Sequence, residues 1–111
     1  MELDHQVADR IRDCLVQLFD PAKVIIFGSF GRGEAREDSD IDIAVIREAD
    51  QPVDIDTIAR GRLAIRKVLK GTGLPLDLIM QSREMYDAEK VRVGSACHTI
   101  ETEGLVLYER H

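Results

Sequence analysis

Residues 40–46 read Asp-Ile-Asp-Ile-Ala-Val-Ile. The density of β-branched residues makes this segment a strand. Side chains alternate across a strand, so Ile41, Ile43 and Val45 share one face while Asp40, Asp42 and Ala44 share the other. One face is apolar and belongs against a core. The other carries two carboxylates pointing the same way. Like charges that close repel and raise one another's pKa unless something neutralises them. A divalent cation does so, and hard carboxylate oxygens suit Mg²⁺. Charges on an exposed edge strand, placed there to discourage aggregation, would give the same pattern. The Asp-x-Asp pair therefore needs support from the rest of the chain.

Leu3, Val7, Ile11, Leu15 and Leu18 recur at helical spacing and predict a helix over residues 2–19, ended by Pro21. Lys23 to Phe27 reads as a strand, and Gly28 to Ser39 as a polar, turn-rich connection with room for a short helical turn. Ile41 to Ile46 forms the second strand. A helix from Asp54 to about Lys70 closes at Gly71-Thr72-Gly73. Pro75 to Met80 is a third strand, and Ser82 is placed to cap the helical stretch after it. Residues from about Val93 to Glu103 predict a further helix, ended by Gly104, and Leu105 to Tyr108 a last strand. Strands alternating with helices predict an α/β or α+β sandwich in one domain over residues 1–111.

The third strand supplies a second oddity. In Leu-Pro-Leu-Asp-Leu-Ile-Met, Leu76 and Leu78 face a core, which leaves Asp77 on the opposite side. Three carboxylates on one sheet face would make a metal site. Gly28-Ser29 directly follows the first strand. If the first two strands pair antiparallel, this turn lies beside Asp40. A glycine there lets a phosphate approach the backbone, and exposed N–H groups at a loop-to-helix start bind anions. Other phosphate and metal motifs fail. Gly28 and Gly33 have Walker spacing, but Glu34-Ala35 follows in place of Lys and Ser or Thr. A dinucleotide fingerprint would need glycine where Phe30 stands. An EF-hand loop from Asp38 would put Ile43 at its glycine and Ala49 at its last ligand.

The formal charge of −6 argues against a general nucleic-acid coat but leaves room for one nucleotide bound through metal ions. No apolar run approaches the length of a membrane span and no signal-peptide pattern opens the chain, which points to a soluble cytoplasmic protein. Cys14 and Cys97 have no metal-ligand spacing and read as reduced thiols. His5, His98 and His111 are scattered and suggest neither a metal site nor a catalytic triad.

Gly28-Ser29, ten residues, then Asp40-Ile41-Asp42 resembles the G-S-x₁₀-D-x-D signature of the polymerase-β-type nucleotidyltransferases. The chain closely resembles the minimal nucleotidyltransferase (MNT) proteins of bacteria and archaea, through the leading helix, "FDPAKVIIFGS", "GRGEAREDSDIDIAV", "LPLDLIM" and "EGLVLYER". The resemblance implies a mixed β-sheet with helices packed on one face. It implies that Gly28 and Ser29 hold the outer phosphates of a nucleotide, that Asp40 and Asp42 hold Mg²⁺, and that Asp77 is the third carboxylate. Arg32 matches an arginine often found in this loop, whereas Phe30 departs from the arginine or tyrosine usual after Gly-Ser. The implied chemistry is transfer of AMP, or another nucleoside monophosphate, from a triphosphate such as ATP to a hydroxyl. Two metal ions roughly 3.5–4 Å apart would clamp the reacting oxygens. Many MNT proteins act as antitoxins to HEPN-domain toxins, which implies a tyrosine of such a partner as acceptor, and a homo- or hetero-oligomer. An antitoxin acting by binding alone and a small-molecule nucleotidyltransferase are the alternatives.

One basic helix stays outside this scheme. In Ile-Asp-Thr-Ile-Ala-Arg-Gly-Arg-Leu-Ala-Ile-Arg-Lys-Val-Leu-Lys, the expected inner stripe is Ile55, Ile58, Ile65 and Leu69. Arg62 and Arg66 fall within or beside that stripe, and Arg60 and Lys67 point away. Either Arg62 and Arg66 snorkel over the core, or one of them meets the phosphates or an acidic partner.

Overall fold

A computed structural model describes residues 3–110. Glu2, part of the predicted first helix, and His111 lie outside the described residues. The elements run α1 (His5–Phe19), β1 (Lys23–Phe27), α2 (Gly28–Gly31), β2 (Ile41–Arg47), α3 (Ile55–Val68), β3 (Leu76–Ser82), α4 (Arg83–Glu89), α5 (Ala96–Glu103) and β4 (Leu105–Glu109). The strands form one four-stranded sheet in the order β3-β2-β1-β4. β1 pairs antiparallel with β2 and with β4, whereas β2 and β3 are parallel. Parallel neighbours need a crossover, and α3 is that crossover.

Local chemistry sets the ends of the helices. Asp4 accepts hydrogen bonds from the Gln6 and Val7 amides and caps α1, so the helix starts at His5 and not earlier. Asp20 ends it in the left-handed conformation, with Pro21 behind. Asp54 accepts from the Thr57 amide and hydroxyl at the start of α3. Ser82 caps α4 as its sequence position suggests. Ser95 caps α5, which begins there and not at Val93 because Gly94 turns the chain with φ +91°.

The period-two pattern of β2 divides the core in two. Ile41, Ile43 and Val45 join Val24 and Ile26 under Ile11, Leu15 and Phe19 of α1 and Ile65 of α3. Both long helices therefore cover one face of the sheet. On the other face, Ala44, Ile46 and Ile25 pack against Tyr86 of α4 and Cys97 and Ile100 of α5. This second cluster is smaller and belongs to the two short helices, so the expected packing of helices on one face holds for α1 and α3, while α4 and α5 cover the other. Tyr86, only 2% exposed, donates its hydroxyl to Glu101 at 2.5 Å and ties them together. Arg47, at the end of β2, is buried. Its guanidinium donates to the carbonyls of Pro52 (2.7 Å) and Phe19 (3.2 Å) and lies 5.0 Å over the Phe19 ring.

Ile55 is a correction to the sequence reading. Expected on the inner stripe of α3, it is 83% exposed. The inner arc runs through Thr57, Ile58, Gly61, Ile65, Val68 and Leu69, and at 100° per residue Ile55 lies about a quarter-turn off its centre. Arg62 and Arg66 are exposed, as are Arg60 and Lys67. No helix among the described residues is long and apolar enough to cross a membrane.

Candidate active site

The site forms where β1 ends and β2 and β3 begin. The antiparallel register sets Phe27 opposite Asp42. The chain then turns at Gly28 into the single turn of α2. Ser29 follows within α2, half-buried, its carbonyl accepting from the Glu34 amide at 2.8 Å. On the other side of β2, the Ile41 amide donates to the Pro75 carbonyl at 2.8 Å and starts the parallel ladder. That register puts Asp77 directly beside Asp42. Both lie on the α4/α5 face, since Asp42 shares its side of β2 with Ala44 and Ile46.

The surroundings of Asp42 act on its charge. Burial pushes its carboxyl above the usual aspartate range, repulsion from Asp77 and then Asp40 pushes further, and the Arg32 cation pulls back. Asp40 and Asp77 are exposed and Asp42 is half-buried. Arg32 is held from two sides, by Glu34 at 3.2 Å and by Glu103 at the end of α5 at 3.8 Å.

Gly28 has a specific steric reason. Its φ is +67°, a conformation that side chains resist. A Cβ built there would fall onto Oδ2 of Asp42. The turn and the carboxylate thus touch with no room for a methyl group. Phe30 points the other way and anchors the turn in the core. Gly31 packs so tightly that a Cβ would lie 2.7 Å from the Ile26 carbonyl oxygen.

Of the residues singled out from the sequence, the structure sets Gly28 against Asp42 and Asp77 in register beside it, while Asp40 and Arg32 act on Asp42 through their charges and Ser29 lies in the adjoining turn. Glu34 and Glu103, which hold Arg32, escape sequence reading; Glu103 lies about seventy residues along the chain and no local pattern links the two. The donor set of carboxylate oxygens suits a hard divalent ion such as Mg²⁺. Among the described residues, no three His, Cys, Asp or Glu side chains converge closely enough to hold a metal ion as they stand. The fit is one of donor chemistry and shared face.

Comparison with known proteins bears on the family and the fold. A family model described as a nucleotidyltransferase domain matches residues 8–106. A Methanocaldococcus jannaschii protein, provisionally named a protein adenylyltransferase, is 34% identical over 86 residues, covering 78% of this chain and 77% of its own. Two solved structures share the fold at low identity. One is a toxin–antitoxin complex with AMP-PNP (TM-score 0.69, 22% identity, 93% of this chain and 73% of that one). The other is a tri-AMPylated Shewanella oneidensis HEPN toxin with its MNT antitoxin (TM-score 0.66, 19% identity, 97% and 74%).

Proposed function

The chain belongs to the nucleotidyltransferase domain family, and from that premise we propose that it transfers AMP from ATP to a tyrosine hydroxyl of a HEPN-domain protein, acting as that protein's antitoxin. The observation that carries the reading is the contact between the Gly28 turn and Asp42, with Asp77 in register alongside. A turn open to a phosphate would thus lie against one carboxylate with a second beside it, which is what phosphoryl chemistry would use.

Asp40 and Asp42 would hold Mg²⁺, and Asp77 would complete the set. When bound, the metal neutralises charge on the phosphates and steadies the pyrophosphate leaving group. The Gly28-Ser29 turn receives the outer phosphates, and Arg32 adds a positive charge on the same side. In the transfer, the acceptor oxygen forms a bond to the α-phosphorus and the bond from that phosphorus to the bridging oxygen breaks. Pyrophosphate leaves. The hydroxyl proton passes to Asp77, which is exposed on β3 at the edge of the sheet, where an acceptor can reach it. Positioning and charge neutralisation supply most of the acceleration.

The relatives support the acceptor class, since one is named a protein adenylyltransferase and a solved structure of the same fold holds an AMPylated HEPN toxin. The test is incubation with labelled ATP, Mg²⁺ and a HEPN-domain protein from the same genome, followed by mass spectrometry of that protein. AMP on a tyrosine, abolished by EDTA and by Asp42→Asn, is the expected result. Tight binding of the HEPN protein with no transfer would leave a binding antitoxin and overturn the enzymatic reading.

A further inference from the structure

The outer face of α3 combines two features that a solvated helix has no need of. Ile55 and Leu63 are 83% and 58% exposed, and with Ala59 between them they recur every fourth residue as an apolar ridge. Basic side chains flank the ridge on both sides. At 100° per residue, Arg62 stands on one flank and Arg60 and Lys67 on the other, while Arg66 and Lys70 project in the direction of the ridge beyond Leu63. Residues 55–70 hold five of the chain's 15 Lys and Arg but only one of its 21 Asp and Glu. Among the described residues, none of these five cations makes an ion pair or a side-chain hydrogen bond, whereas Arg12, Lys23, Arg32, Arg83, Lys90, Arg92 and Arg110 are all ion-paired. Arg60 does act at longer range on Arg47 and Asp54.

These cations do not serve the carboxylate site. α3 packs on the face of the sheet that carries Ile41, Ile43 and Val45, and Asp42 is on the other. The helix is also held rigidly. A Cβ on Gly61 would come within 3.0 Å of Leu78 and 3.1 Å of Phe19, so the backbone of α3 rests directly on the core. Its outer ridge is presented in a fixed orientation.

We infer that the outer face of α3 is a docking surface for an acidic amphipathic helix of a partner protein. A ridge of Ile55, Ala59 and Leu63 fits the groove of a second helix, with the small Ala59 allowing close approach. The paired basic flanks select acidic flanks on that helix and set its register. A phosphate backbone would have no use for the apolar ridge, and the −6 charge of the whole chain would oppose it. This surface goes beyond the transfer reaction and stands independently of it.

The test uses the full chain and fluorescence anisotropy at low salt. The probe is a labelled helical peptide as long as α3, with leucine at every fourth position and glutamate on both flanks. A second peptide has lysine in place of glutamate, and phosphatidylglycerol vesicles and duplex DNA are the further arms. The acidic peptide should bind at least tenfold more tightly than its lysine counterpart. The double variant Arg62→Glu/Arg66→Glu and the single variant Leu63→Glu should each weaken it at least tenfold, while Mg-ATP binding in the same proteins stays unchanged. Arg10→Glu, an exposed cation on α1, should leave the peptide affinity as it is. Equal affinity for both peptides, no binding of either, or full binding by the α3 variants would overturn the proposal. So would tighter binding of vesicles or DNA than of the acidic peptide, or self-association that the same variants abolish.

Discussion

Gly28→Ala adds one methyl group at the closest contact in the candidate site. Two costs can be separated. Placing alanine at φ +67° costs about 1 kcal/mol. The new Cβ also falls on Asp42 Oδ2, so the carboxylate must leave its rotamer, at about 0.5–1.5 kcal/mol. Gly73 supplies the reference. It has φ +75° and nothing within 4 Å of its would-be Cβ, so Gly73→Ala carries the backbone cost alone. For a domain of this size each kcal/mol is roughly 4–8 °C in Tm. Gly73→Ala should lower the melting temperature by about 5 °C and Gly28→Ala by about 10 °C or more. Calorimetry with Mg-ATP gives the functional half of the comparison. Gly73→Ala should bind as the parent does, and Gly28→Ala should lose at least about tenfold, or ~1.4 kcal/mol. Equal melting temperatures and equal nucleotide affinity in the two variants would refute the claim that the turn and Asp42 form one unit.

Asp42→Asn should raise the stability of the metal-free protein while removing Mg-dependent nucleotide binding, because asparagine escapes both the burial cost and the repulsion from Asp77 and Asp40. The sign follows from linkage. A carboxyl with a raised folded pKa gives stability that is present below the unfolded value and lost as pH rises through the folded one, so parental urea midpoints should fall relative to Asp42→Asn from the ordinary aspartate range upward; parallel profiles would count against it. Arg47→Lys should cost about 1.5–3 kcal/mol in urea unfolding, because an ammonium cannot reach both carbonyls or stack on Phe19 as the guanidinium does. A loss below about 0.5 kcal/mol would show that the fork is not needed.

The alternation in residues 40–46 was enough to assign faces, because period two is a local property of any strand. The cap at Ser82 was visible for the same reason. The register that sets Asp77 beside Asp42 was not; it depends on a crossover whose length no short pattern encodes. Ile55 misled because an apolar residue at helical spacing looks the same whether it faces in or out. The true inner arc of α3 uses Thr57 and Gly61, and Gly61 belongs there through its absence of bulk. The second apolar cluster stayed hidden because its members in the sheet, Ile25, Ala44 and Ile46, share faces with charged neighbours. Arg32 was singled out only by the family resemblance, and its two ion-pair partners, Glu34 and Glu103, come from different parts of the chain.

The parallel pairing of β2 with β3 also makes the carboxylate pair a checkpoint on topology. Asp42 lies in β2 with Asp40 just before it, but Asp77 comes beside Asp42 only after the chain has passed through α3 and returned in the same direction. A slip of one residue in that return would turn Asp77 toward the packed face and bring Leu76 or Leu78 out in its place. On the proposed reading, chains that close the crossover wrongly would be silent as well as unstable, and a fragment ending before β3 would lack Asp77.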